Sequence, residues 1–181
     1  MFLLIYNVCM EIKKHLIDGN NSFVKRVSNK TEVRNLVNGQ HPFALVITCS
    51  DSRVIPEEIF NCSLGELFII RTAGNVINEG ELASIEYGIE HLNIKYVLVL
   101  GHTHCGAVHA SIHDEKGTYL SPILDNIKAT IKDEQDELIA TLMNANRQVE
   151  YIKEKFPHYD GEIESALYDI ETNKVIFESK I

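Results

Sequence analysis

Two short apolar runs, Phe43-Ala44-Leu45-Val46-Ile47 and Tyr96-Val97-Leu98-Val99-Leu100, constrain this chain more than any other feature. Each is brief and rich in β-branched residues, so each reads as a buried strand. Strands are predicted at 43–48, 67–70 and 96–100, and helices at 56–61, 79–92 and 106–113. Pro56 suits the first position of the helix it opens. In 79–92, Leu82, Ile85, Ile89 and Leu92 share one face. Residues 71–75 form a loop between the second strand and that helix. Strands alternating with helices imply βαβ units and a parallel sheet.

The flanks complete the expectation. Apolar residues at helical spacing predict a helix over 10–17, stopped by Asp18-Gly19-Asn20, and another over 23–37, stopped by Asn38-Gly39. Residues 120–155 read as mostly helix, with the acidic run 133–137 as a solvated face. A strand at 165–170 turns at 171–174 and pairs back over 175–177 as a hairpin. The expected class is α/β: a central, mostly parallel β-sheet flanked by helices, with an N-terminal helical arm (1–38) ahead of one α/β domain (39–181).

Both apolar runs end in reactive groups. The first leads into Cys49-Ser50-Asp51-Ser52-Arg53, the second into Gly101-His102-Thr103-His104-Cys105-Gly106. Ligands of open α/β sheets gather at the carboxyl ends of strands. Neighbouring strands lie about 4.8 Å apart, so Cys49 and the His102-x-x-Cys105 pair can reach one point. Two thiolates and an imidazole suit zinc, whose catalytic sites use three protein ligands and keep one position for water. Taken singly, Cys49 also reads as a small buried hydrophobe and His102 as a hydrogen-bonded loop residue. Asp51 and Arg53 read either as a structural ion pair or as groups that tune a metal-bound water.

Composition narrows the partners. A formal net charge of -9 argues against a nucleic-acid surface, which needs an excess of Lys and Arg. The four cysteines are widely spaced with no Cys-x-x-Cys, which favours reduced thiols over a disulfide framework and disfavours a thiol redox protein. Residues 1–6 are apolar, yet they lack a basic n-region and are too short to span a bilayer. A cytoplasmic chain without a membrane partner is expected, with 1–6 as a buried arm, or with Met10 as the natural start. Among the eight histidines, His104 and His109 lie nearest the reactive motif and are read as surface side chains.

The motifs at 49–53, Arg71-Thr72-Ala73-Gly74-Asn75, Ser84-Ile85-Glu86-Tyr87 and 101–106 together resemble the β-class carbonic anhydrases. The likeness runs over about 16–108 and resumes at Tyr168-Asp169-Ile170-Glu171-Thr172. It implies one Zn2+ per chain on Cys49, His102 and Cys105, with Asp51 and Arg53 as the catalytic dyad beside it. It further implies that Gln40 and the backbone N–H of Gly106 bind substrate. Phe68 and Tyr87 are similar to the aromatic pocket wall of the plant-like subgroup. The activity implied is reversible hydration of CO2 to bicarbonate and a proton by water activated on zinc. A homodimer or homotetramer is implied as well, with the sheet extended across subunits and some pocket residues supplied by the partner. The chain has no Trp, which the subgroup with an inhibitory bicarbonate site uses, so the active arrangement is expected. The same ligands also suit hydrolysis of carbonyl sulfide or carbon disulfide, linear analogues of CO2. A non-catalytic zinc-binding protein is the remaining alternative, and it has no use for Asp51, Arg53 and Gln40.

Overall fold

The computed structural model describes residues 2–28 and 31–177, with side chains described at 8–28 and 33–177. Met1 and the side chains of the 1–6 segment fall outside the described residues. The chain divides into two compact units, Met1–Gln40 and His41–Ile181.

The first unit is helical. Helix α1 spans Phe2–Val27, α2 spans Thr31–Asn35, and a 3-10 turn, Leu36–Asn38, follows. The stop expected at 18–20 is absent, because α1 runs straight through it. A glycine costs a helix only about 1 kcal/mol relative to alanine. Against that, Lys14 pairs with Asp18 at 2.7 Å one turn away, and the Ser22 hydroxyl donates to the Asp18 carbonyl at 2.9 Å. Such local pairs carry the helix past its weak point. The expected helix over 23–37 is correspondingly split between the end of α1, α2 and the turn.

The second unit is built on a five-stranded sheet of order β2-β1-β3-β4-β5. The strands are β1 (Ala44–Cys49), β2 (Leu67–Thr72), β3 (Tyr96–His102), β4 (Glu162–Asp169) and β5 (Lys174–Ile176). The first four are mutually parallel, and β5 closes the hairpin antiparallel to β4. All six residues of β1 are buried, as an apolar strand at the sheet centre requires. Strands β2 and β3 run two residues beyond their apolar cores. Arg71, Thr72 and His102 are therefore strand residues, whereas the sequence placed them in loops.

The connecting helices are α3 (Pro56–Ile59), α4 (Glu79–Glu86), α5 (Gly106–Ile112), α6 (Ser121–Ile131) and α7 (Glu137–Lys155). Helix α4 opens on a capping box between Asn78 and Glu81 and continues as a wider π-turn over Tyr87–His91. Gly88 in that turn sits so close to β1 that a Cβ would lie 2.7 Å from the Leu45 side chain. The helix expected over 120–155 breaks at Lys132, which takes φ 54°. The acidic run is thus a turn and a cap instead of a helix face. The Asp136 carboxylate accepts from the N–H groups of Leu138 and Ile139 at the start of α7, satisfying donors that a helix leaves open.

The chain leaves β1 for β2 on one side and later returns to lay β3 on the other. The carboxyl ends of β1 and β3 therefore flank a switch point in strand order, where α/β sheets open a crevice.

Candidate metal centre

Cys49 is the last residue of β1 and His102 the last of β3. The two strands are locked in register by the Thr48–Leu100 pair, and the Thr48 hydroxyl donates to the Leu100 carbonyl at 2.9 Å. Cys105 is the N-cap residue of α5, three residues beyond His102. The ligand atoms of Cys49, His102 and Cys105 all lie within 4.8 Å of one another, and all three residues are buried.

The donor set fits a metal ion. His102 Nδ1 lies 2.9 Å from the Thr103 carbonyl, which can only accept, so the ring proton sits on Nδ1 and Nε2 carries the lone pair. His102 is fully buried, and Nε2 has no hydrogen-bond partner. A buried imidazole nitrogen without a partner is costly, and a cation between it and two thiolates removes that cost. Two sulfurs and one nitrogen suit zinc among the common biological cations.

The two thiols bias each other's titration. A hydrogen bond from the Cys105 thiol holds Cys49 well below the usual thiol range, against burial, with help from the backbone N–H groups of Asp51 and Gly74. Cys105 is pushed up in turn, first by its hydrogen bond to the Cys49 sulfur and then by burial. The Gly74 N–H lies 3.3 Å from Cys49 Sγ. Gly74 takes φ +62°, and a Cβ there would meet the Ile127 side chain at 2.8 Å, so only glycine brings this amide to the sulfur.

Asp51 and Arg53 form a two-pronged pair beside the centre. Arg53 Nε donates to one Asp51 oxygen at 2.9 Å and Nη2 to the other at 2.7 Å, while the Arg53 amide also donates to the carboxylate. These bonds hold the Asp51 carboxyl well below the usual carboxylate range. Arg53 Nη2 also reaches the His104 carbonyl at 3.1 Å, tying the loop after β1 to the loop after β3.

One brace was missed in the sequence. Arg71 donates through Nε to the Cys49 carbonyl at 3.2 Å and through Nη2 to the Asp51 carbonyl at 2.7 Å. An arginine directly after the apolar core of β2 was the available signal, since a charge at a strand's carboxyl end points toward the crevice loops.

Within His41–Ile181, the other residues read as site residues lie apart from this cluster or only beside it. Gly106 is the first residue of α5, where a backbone N–H has no partner within the helix, and a Cβ there would meet nothing within 4 Å. Phe68 and Tyr87 lie against each other with ring centroids 6.2 Å apart. Phe68 pairs in register with Leu45, four residues before Cys49, and so lies about 13 Å down the sheet at roughly 3.3 Å per residue. One chain therefore does not bring these rings to the thiolates. Gln40 is exposed and belongs to the first unit. A cavity of about 350 Å3 opens nearby, lined by Thr103, His104, Glu137, Asp169 and Glu171 among others, and the three metal donors do not line it.

Known proteins share this architecture. The family model described as carbonic anhydrase matches residues 44–175, which include all three donors. The chain is 52% identical over 87 residues to a carbonic anhydrase of Synechococcus elongatus, covering 45% of this chain and 32% of that protein. It is 44% identical over 104 residues to carbonic anhydrase 2 of Mycobacterium tuberculosis, covering 55% of this chain and 50% of that protein. These matches thus span between a third and a half of the relatives' length. Among solved structures, the β-carbonic anhydrase CcaA superposes with a TM-score of 0.76 at 29% identity, covering 90% of this chain and 93% of that one. A tetrameric β-carbonic anhydrase of the ascomycete Sordaria macrospora gives a TM-score of 0.80 at 24% identity, covering 91% and 95%, a likeness of fold. With the model matching well over half of the chain, and the donors it includes converging in space, the chain belongs to the β-carbonic anhydrase family.

Proposed function

We propose that this protein binds one zinc ion on Cys49, His102 and Cys105 and catalyses the reversible hydration of CO2 to bicarbonate and a proton. The observation that carries this reading is the buried, partnerless His102 Nε2 held within 4.8 Å of two thiol sulfurs. Zinc in such a site supplies Lewis acidity, lowering the pKa of a coordinated water from about 15.7 toward roughly 7.

The chain's own groups do the rest. Cys49 and Cys105 bind the metal as thiolates, so loading the site releases protons. Asp51, kept ionised by Arg53, accepts a hydrogen bond and so orients the attacking water toward the carbon of CO2. Arg53 places two bonds on Oδ1 and one on Oδ2, so Oδ2 keeps a lone pair for water and the ion pair need not open. The N–H of Gly106, which has no partner within its own helix, and the amide of Gln40 are assigned to the substrate oxygens, where negative charge builds as bicarbonate forms. Burial of the three donors keeps bulk water away from the ligand bonds.

Phe68 and Tyr87 are assigned to the pocket wall of the plant-like subgroup, facing the centre of a neighbouring copy. Their distance from the donors of their own chain supports that arrangement. A homodimer or homotetramer in the cytoplasm follows as part of the same reading; among the described residues no helix is long and apolar enough to cross a membrane.

Zinc content and CO2 hydration, measured on one purified sample, test the assignment together. Cys49→Ser and His102→Ala are expected to lose both. Asp51→Ala is expected to keep zinc and lose most of the rate, on the order of 10²-fold or more, as for other positioned proton-accepting groups. Hydration by Asp51→Ala at the parent rate sinks the role given to Asp51. Turnover of carbonyl sulfide or carbon disulfide with no hydration of CO2 would replace the substrate.

A further inference from the structure

We propose that His109 and His113 form a second metal site, at the surface, which takes a divalent ion of the nickel, copper or zinc class. Three observations converge on it. The two histidines are one helical turn apart at the end of α5, and their ring centroids are 4.3 Å apart in an edge-to-face contact. The His113 N–H donates to the His109 carbonyl at 3.1 Å, so helical spacing persists through His113 and presents both rings on one face. Both residues are exposed, which leaves the remaining coordination positions to water.

The third observation is Glu137. Its carboxylate lies 2.6 Å from His109 Nδ1. An ionised carboxylate only accepts, so the His109 proton sits on Nδ1 and the lone pair on Nε2 is available to a metal. A carboxylate behind a histidine is the arrangement that orients a ligating imidazole and raises its basicity. Glu137 is itself well held, because it opens α7 directly after the Asp136 cap. Asp114, the residue after His113, is paired with Lys128 at 3.2 Å. Two imidazoles with open water positions select borderline cations over magnesium or calcium, with copper above nickel in affinity.

Nickel chloride titrated by calorimetry into the full chain, with zinc at Cys49, tests the site. A binding event that leaves the zinc content unchanged is expected. His113→Asn is expected to weaken it tenfold or more, and Glu137→Gln by about 10–100-fold, the usual cost of removing the group behind a ligand. His158→Asn, at another exposed position, is expected to leave it unchanged, and thermal unfolding establishes that each variant is folded. Equal nickel affinity in the parent and in His113→Asn overturns the site, as does nickel uptake that occurs only when zinc leaves. Equal affinity in the parent and in Glu137→Gln overturns the part given to Glu137. Catalysis does not enter the readout, so failure here is distinct from failure of the hydration reading.

Discussion

Asp51 and Arg53 are two residues apart and are fastened by three hydrogen bonds from the arginine to the carboxylate. The motif alone left them as either an ion-pair brace or part of a catalytic centre, and the geometry makes them a pair that also ties two loops together through the His104 carbonyl. Because the folded carboxyl is held below its unfolded value of about 3.9, the pair's contribution to stability is present above that pH and is lost as pH falls through the folded value. Followed by carbon NMR, Asp51 is expected to stay ionised through the range in which ordinary carboxylates protonate. In Arg53→Ala its titration is expected to return toward about 3.9. A parent Asp51 that already titrates there contradicts the geometry. The residue types of this centre were legible in the sequence. The tautomer of His102 was not, since it depends on a carbonyl placed by the backbone after β3.

At the scale of elements, α7 is the least expected contributor to the centre. Asn144 on this helix is fully buried and donates to the Gly74 carbonyl at 2.8 Å, and Gln148 one turn later accepts from the Ile77 N–H at 3.0 Å. Gln148 also donates to Asn144 and to Asn126 on α6. Two helices thereby hold the turn whose Gly74 amide approaches the Cys49 sulfur. Asn144→Ala leaves the Gly74 carbonyl unsatisfied and is expected to cost about 1–3 kcal/mol in denaturant unfolding. It is also expected to lower zinc affinity in chelator competition, because the Gly74 amide is no longer held toward the sulfur. Unchanged metal affinity at reduced stability would confine Asn144 to packing. Two polar residues on an otherwise ordinary helix gave no hint of this in sequence. Their partners lie about 70 positions away along the chain, and hydrogen bonding across such a separation has no local pattern. The break at Lys132 was missed for a different reason. Strong helix formers on either side masked it, and the Asp136 cap was the better signal.

At the scale of the whole molecule, the clusters of buried apolar residues found among the described residues lie within His41–Ile181. A chain starting at His41 is therefore expected to fold cooperatively and to bind zinc. A noncooperative melt or loss of zinc from that chain would show that the first unit is needed for the fold itself. The parallel sheet and the chemical character of both strand ends were determined by the sequence alone. Uninterrupted β-branched runs have no stable place except a buried sheet, and a thiol or imidazole directly after such a run must emerge at its carboxyl edge. Only the tertiary structure decided that β3 lies on the free side of β1, which brings His102 and Cys105 to Cys49. It also decided that Phe68 and Tyr87 stay remote from the donors of their own chain. Strand order is set by how whole faces of helices and sheet pack over long separations, and the residues next to a strand carry no record of which neighbour it will take.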